Sequence, residues 1–403
     1  MNLDNLEVLS PAGSFESLRS AVDYGADAVY LGGQSFGMRA GPENFTYDSL
    51  KAAVGLAHSK GVKVYLTCNT LPRNNEIPYF RQFMEEANDC GVDAVIVADL
   101  GLLSLVKEYC PDMEVHMSTQ TGIVNYVTAR ELYNMGVKRV VVARELSLEE
   151  IAEIRAKTPA DLDIEAFVHG AMCVSFSGRC LLSQYLVNRD ANRGECAQPC
   201  RWSYSLMEET RKGEYYPIAE DTDGTYILNA KDLCMIDHLA KVAEAGVTSF
   251  KIEGRAKSSY YVSVITNAYR MAVDVLKQGA ELPGWVREEV FKVSHRPYCT
   301  GFFFGHPKDC QYYPNSGYIR EYDVAAVVDE CKGGRIYCTQ RNKFCKGDEV
   351  EILVPGKKFG TLKVSELLNG NEEPIESANH AMMKLIISCE KEYPPNSIIR
   401  IKK

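Results

Sequence analysis

Gly25-Ala-Asp-Ala-Val-Tyr-Leu31 is a phrase that recurs along the first 255 residues, and its repetition decides the fold. Gly61-Val-Lys-Val-Tyr-Leu66, Gly91-Val-Asp-Ala-Val-Ile-Val97, Gly136-Val-Lys-Arg-Val-Val-Val142 and Gly246-Val-Thr-Ser-Phe-Lys-Ile252 share its form. In each, a glycine able to take the left-handed conformation that ends a helix precedes a short turn and a β-favouring apolar run. Three further strands are expected at Leu6–Leu9, Glu114–Met117 and Leu162–Val168, which makes eight. Between them Phe15–Tyr24, Tyr47–Ser59, Ile77–Cys90, Leu102–Tyr109, Ile123–Met135, Ser147–Lys157 and Met235–Ala245 have the apolar spacing of amphipathic helices. Apolar strands alternating with helices in this way predict an α/β chain folded as a TIM-like (β/α)8 barrel. The rival is an open doubly wound sheet. The glycines of Leu31-Gly-Gly-Gln-Ser-Phe-Gly37 do not have the dinucleotide-binding spacing that would favour it.

The rhythm breaks once. Residues from about 173 to 225 form an excursion too long for an ordinary loop between a strand and a helix, and they carry four of the five cysteines that stand between 173 and 234. The barrel, with this cysteine-rich insertion, is expected to span 1–278 and to end in a helix over Ser258–Gln278. Residues 279–322, rich in proline, glycine and aromatics, read as a linker packed on the barrel. Over 323–403 the periodicity changes to short strands, at Ala325–Val328, Arg335–Thr339, Glu349–Val354, Gly360–Val364, Met383–Ile387 and Ser397–Ile401. These predict a small C-terminal all-β barrel domain.

Composition limits the function classes. Hydrophobic residues make up 46% and the formal net charge is -9. No run approaches the roughly 20 apolar residues that span a bilayer, and the N-terminal residues have no basic, then apolar, leader. A cytoplasmic protein without membrane contact is expected. The acidic balance disfavours non-specific nucleic-acid binding but leaves room for a local basic patch.

Five cysteines in a reducing compartment suggest a metal centre before disulfides. The spacings Cys173-x6-Cys180 and Cys196-x3-Cys200, with Cys234 beyond, match neither a zinc ribbon nor a ferredoxin run. Thiolates that converge in space still suit a [4Fe–4S] cluster, with zinc as the alternative. Cys68, Cys90, Cys110, Cys299 and Cys310 read as core or incidental residues. Barrel active sites form at the C-terminal ends of the strands, where polar residues are dense: Asn69, Asp99, His116, Gln120, Arg144, Glu165, His169, Lys251, Glu253 and Arg255. Glu165 and His169 are candidates for an acid–base pair, or Glu165 neutralises Arg179. His116 suits hydrogen bonding better than metal ligation.

Glu165-x-Phe167-x-x-Gly-Ala-Met-Cys173-x4-Gly-x-Cys180-x-Leu-Ser183, with Leu9-Ser-Pro-Ala-Gly13, Asn188-Arg-Asp-x-Asn-Arg-Gly-x-Cys196, Lys231-Asp-Leu-Cys234 and Lys251-x-Glu-Gly-Arg255, resembles the signature of the peptidase U32 family. The likeness runs over essentially the whole chain. It implies either a collagenase-like metal-dependent peptidase or, closer in length and ending, a protein of prephenate-dependent 5-hydroxylation of the tRNA wobble uridine. A related Fe–S hydroxylase of small aromatic or quinone precursors is a third possibility. The resemblance further implies a [4Fe–4S] cluster on Cys173, Cys180, Cys196 and Cys234, with Cys200 as a substitute. The partners it implies are a tRNA anticodon stem-loop and a second U32-family subunit. The candidate acid–base set is then Glu165, His169, Lys251, Glu253 and His116. Arg39, Asn69, Gln120, Arg144, Arg179, Arg193, Arg255 and Lys257 are candidates for tRNA phosphates or the prephenate carboxylates, which arginine receives bidentately. Tyr30, Phe36 and Phe167 are candidates for stacking on the base.

Overall fold

Each of the five repeated glycines has a positive φ, from 73° at Gly61 to 96° at Gly246, so the phrase ends a helix and starts a strand wherever it occurs. In this computed structural model the described residues are 3–403 without 39–42, 174, 177–178, 203–204, 208–214, 218–229, 307–309 and 311–317. Eight strands make the barrel: β1 (Glu7–Pro11), β2 (Ala28–Gly32), β3 (Lys63–Cys68), β4 (Ala94–Val97), β5 (Glu114–Met117), β6 (Arg139–Val141), β7 (Asp163–Ala171) and β8 (Ser249–Ile252). They pair in chain order, all parallel, and β8 joins both β7 and β1, which closes the ring.

The helices between them are α1 (Phe15–Asp23), α2 (Tyr47–Ser59), α3 (Phe80–Cys90), α4 (Leu100–Tyr109), α5 (Tyr126–Asn134) and α6 (Leu148–Ala156). Local chemistry starts them: Ser14, Thr46, Asp99, Asn125 and Ser147 each accept a first-turn N–H, and Ser147 with Glu150 forms a capping box. Asp99, expected among the active-site polar groups, is thereby accounted for as the cap of α4. Polar residues collect at strand ends partly because helices begin there.

Alternation along the strands sorts the two faces. Val8, Val29, Leu31, Val64, Leu66, Val95, Val97 and Phe250 face the helices in the main core. Leu9, Ala28, Tyr30, Tyr65, Ala94 and Ile96 form a separate apolar cluster inside the barrel.

Strand β7 runs three residues beyond its expected end because Asp232–Cys234 pairs antiparallel with Ala171, Gly170 and His169. Tyr298–Cys299 adds alongside Asp232–Cys234. The excursion between them carries a short helix, α7 (Leu182–Val187), and a ribbon, Ser205–Met207 with Tyr215–Pro217. Then follow α8 (Leu239–Glu244), β8, the long α9 (Ser259–Lys277) capped by Ser258, and α10 (Gly284–Glu289) within the expected linker.

The C-terminal region is antiparallel and all-β: β9 (Tyr322–Lys332), β10 (Arg335–Gln340), β11 (Glu349–Leu353), β12 (Gly360–Lys363), β13 (Leu367–Asn369), β14 (Lys384–Ser388) and β15 (Ile398–Lys402). Its sheet order is β12-β11-β15-β9-β10-β14-β13, around its own core of Ala325, Val328, Ile336, Ile352, Ile387 and Ile399. Buried ion pairs lock it to the barrel: Arg400 donates to both oxygens of Glu289 at 2.7 and 2.8 Å and to Glu351 at 2.9 Å, and Lys292 reaches Glu351 at 2.9 Å. The Tyr24 hydroxyl donates to the Asn396 carbonyl at 3.0 Å, and Leu353 and Ile398 pack into the barrel's core.

Candidate functional site

The inward-facing charges of the barrel fall into two groups at different depths. The deeper group sits among the first residues of the strands. Arg139 donates to Glu7 at 2.6 Å and to Glu165 at 3.2 Å, and Lys251 donates to Glu165 at 2.6 Å. Ser249 donates to Glu7 at 2.7 Å. Burial alone would raise the Glu165 carboxyl, but the charges of Lys251 and Arg139 outweigh it and hold it below its ordinary value. The same contest leaves Glu7 at about 2. His116 is enclosed here too, bonded to Glu114 at 2.9 Å and edge-on to Tyr65. Burial and then Arg139 lower its pKa, so it stays neutral. Glu165 and His116, expected at the mouth, therefore belong to the barrel floor. Glu165 is neutralised by Lys251 and Arg139, whereas Arg179 donates to the carbonyls of Gln120 and Thr121.

His169 faces the other way. Alternation with Glu165 and Phe167 would point it inward, but a bulge opposite Lys251/Ile252 turns it outward onto α9, with Nδ1 3.2 Å from the Tyr269 hydroxyl and its ring against Tyr261 and Tyr298. Burial depresses its pKa to about 3. Glu165 and His169 thus belong to separate clusters and do not form the expected acid–base pair.

Above the floor is a chamber of about 60 Å³, lined by Lys251, Arg255, Arg144, Glu253, Asn69 and Gln120 beside Tyr30 and Phe167. That is room for roughly four waters or one small polar group. Arg255 is buried and donates to Thr67 at 2.9 Å and to Asn44 at 2.9 Å. Gly32 makes this possible, since a Cβ there would lie 2.1 Å from the Arg255 Nη2. Arg144 donates to the Ala171 carbonyl at 2.7 Å, stacks over Phe167 at 3.9 Å, and has a long ion pair with Glu253 at 3.9 Å. Lys251 lies over Tyr30 at 4.6 Å. Asn69 accepts the Met38 N–H at 3.0 Å. Of the expected stacking residues, Phe167 and Tyr30 thus carry cations on their rings, and Phe36 packs against Phe80 and Phe83.

The chamber opens into a cleft of about 930 Å³ that shares Met38, Thr119, Gln120, Arg144 and Glu253 with it. Cys173, Cys180, Cys196 and Cys200 line this cleft, with Glu145 and Lys257 among the other lining residues. Cys234 is absent from that lining. Its sulfur is 3.9 Å from the Tyr269 hydroxyl, and burial pushes its thiol up to about 11. Arg193 is bonded to Glu76, one contact being 2.9 Å, and is not among the residues that line the chamber. Arg39 lies outside the described residues.

Four thiols on one cleft fit an iron–sulfur cluster or zinc in donor type and number. Among the described residues no three His, Cys, Asp or Glu side chains converge to metal-binding separation, so the thiols share the cleft without forming a closed ligand set. Sequence reading missed Thr67 and Asn44, which hold Arg255, and the arginines that the C-terminal domain contributes to the cleft. Thr67 was accessible by alternation with Tyr65 in β3. Asn44 was not, since the loop after β2 has no period.

Residues 13–312 match the model of peptidase family U32, and residues 320–400 match its C-terminal domain. The chain is 37% identical to a tRNA hydroxylation protein P of Escherichia coli K12, over 92% of this chain and 91% of that one. It is 42% identical to an uncharacterised protease of Methanocaldococcus jannaschii, over 93% of this chain and 92% of the other. A 23S rRNA 5-hydroxycytidine C2501 synthase of Escherichia coli K12 is 39% identical over 67% of this chain and 40% of its own. Among the described residues no helix is long and apolar enough to cross a membrane. With both the barrel and the β-domain matched in order, the chain belongs to peptidase family U32.

Proposed function

We propose that this protein is an iron–sulfur enzyme of tRNA modification that 5-hydroxylates the wobble uridine with prephenate as co-substrate. The observation that carries the reading is a single cleft lined by four thiols that opens into a chamber lined by three cations. Relatives named for tRNA and rRNA hydroxylation support the substrate class. Cys173, Cys180 and Cys196 hold the cluster together with Cys200 or Cys234. When bound, the cluster supplies electron transfer that no side chain here provides.

The chain's own residues bind and orient. Arg144 and Arg255 receive carboxylate oxygens, a task for which their planar forks are suited. Lys251, held by Glu165, presents its ammonium at the base of the chamber. The wobble base is already single-stranded in its loop, so presenting it costs little unpairing.

Iron and acid-labile sulfide on anaerobically purified protein test this reading, with about four of each expected. A C200A variant that loses iron while C234A keeps it selects the four thiols of the cleft; the reverse selects Cys234. Nucleoside analysis of a deletion strain should show wobble uridine lacking its 5-hydroxyl. Activity restored only by co-expressing a second U32-family chain would add an obligatory partner. Zinc in place of iron, together with gelatin cleavage, would replace this reading by the peptidase one.

A further inference from the structure

We propose that the C-terminal β-domain is the outer wall of an RNA-binding cleft, with Arg320 and Arg341 receiving backbone phosphates of nucleotides that flank the target base. The inference rests on the RNA reading above and adds a part of the molecule that reading does not use.

The cleft does not end at the barrel mouth. Its lining continues past Lys257 and Tyr318 to Arg320, Tyr322 and Arg341. At about 930 Å³ it lies at the upper end of the range for a compact small-molecule pocket, roughly 300–1,000 Å³. A single uracil ring uses only part of that, and the inner chamber already offers a place for one carboxylate group.

Charge picks the occupant. The chain as a whole carries -9, yet among the described residues the β-domain contributes two arginines and no carboxylate to the cleft. Arg320 pairs with Asp323 at 2.6 Å and Arg341 with Glu16 at 3.3 Å, with the Arg320 and Glu16 side chains more than half exposed. Asp323 at 23% and Arg341 at 30% are less open, so each pair is exposed on one side, and such pairs are weak enough to exchange for a phosphate oxygen. Tyr318 lines the same cleft and is 42% exposed. Arg296 anchors its hydroxyl at 2.9 Å and lies 4.1 Å from its ring centre, and Lys257 lies 4.3 Å away. Cations beside a fixed, partly open aromatic are the elements that single-stranded nucleic acid uses. The wall is also held in place, since Arg400, Glu289, Glu351 and Lys292 join the two domains through buried pairs.

The test is binding of a synthetic anticodon stem-loop to the full-length chain as a function of salt. Replacing both arginines (R320A with R341A) should weaken binding at least 10-fold at low salt and flatten the log–log salt slope by about 1.4, for two single-strand phosphate contacts. Iron content and melting midpoint should stay at the parent values, and the paired lysine substitutions should restore most of the affinity. Y318A should weaken binding while Y318F does not. Parent affinity and slope in the double alanine variant would overturn the inference and leave the hydroxylation reading intact. A parent protein that binds no stem-loop, while the deletion strain still lacks the modification, would overturn it as well. If the deletion strain also keeps a normally hydroxylated wobble uridine, both readings fall together. Competition by polyglutamate as strong as by RNA would mark a general anion surface and overturn it too.

Discussion

At the floor of the barrel each buried charge meets its opposite: Arg139 bridges Glu7 and Glu165, and Lys251 completes Glu165. At the mouth the cations are held differently. Arg255 donates to Thr67 and Asn44, Arg144 donates to a carbonyl, and the Arg144–Glu253 pair is stretched to 3.9 Å. Arg139 and Lys251 stand on β6 and β8, and Arg144 and Arg255 in the segments that follow those same strands. What separates them is depth. A closed network builds the scaffold, while cations steadied by uncharged oxygens can still answer an anion from outside. Charged residues of the barrel therefore divide into those that close a network at the floor and those held beside the chamber.

The largest test of this division is Glu165→Ala. It takes from Lys251 its ion pair in a buried site and leaves Arg139 to Glu7 and Asp163, and breaking one side of a buried pair typically costs about 3–5 kcal/mol. The urea midpoint should fall accordingly, and activity should fall only as far as the folded population does. If the variant keeps its midpoint and loses hydroxylation, Glu165 is a reacting group and the comparison breaks. At the domain lock, where Arg400 is wholly buried among Glu289 and Glu351, a similar loss is not tied to chemistry at all.

Next in size is Gly32→Ala. Its Cβ would press on the Arg255 guanidinium, which the Thr67 and Asn44 bonds keep from moving aside. Overpacking of this kind costs about 1–3 kcal/mol, less than Glu165→Ala, yet wobble hydroxylation in cells should drop nearly as far as in Arg255→Ala. Near-parental hydroxylation in either variant would remove Arg255 from the binding set.

Depth is also where the sequence stopped being legible. The glycine-led phrases marked the strands because the helix end and the β-run that follow are both local, and Ser147 and Ser258 stood at the expected helix starts for the same reason. Inward or outward facing follows from alternation. Height in the barrel does not, because staggered strands of unequal length put equal positions at unequal depths: β7 has nine residues and β6 three. Glu165 is only the third residue of β7, and so lies at the floor. Cys173, Cys180, Cys196 and Cys200 were legible as a group through closeness along the chain. The displacement of Cys234 from them depends on its pairing with His169, a contact between distant segments. Arg320 and Arg341 looked like ordinary surface arginines until the β-domain was set against the mouth.

The smallest effect sharpens the comparison through acid titration. His169 titrates near 6.5 in an unfolded chain but at about 3 in the fold, because burial opposes its charge. Between those values the unfolded chain binds a proton that the native one refuses, so stability falls as pH drops from 6.5 toward 3. Glu7 acts with the same sign in a lower window. Its ordinary value of 4.5 becomes about 2 in the fold, where Arg139 outweighs burial. Its contribution is whole above 4.5 and is lost as pH falls toward 2. Denaturant midpoints should therefore begin to decline below pH 6.5 and decline more steeply below 4.5. Enclosed His116 is lowered as well and adds to the first phase. Substituting His169→Gln should remove part of the decline from pH 6.5 down to about 3 and His116→Gln a further part of the decline below 6.5, while the added steepness that sets in below 4.5 should persist in both. An unchanged upper phase in both variants would mean that these histidines titrate normally in the fold, and that the packing of His169 against Tyr269 is looser than a 3.2 Å contact implies.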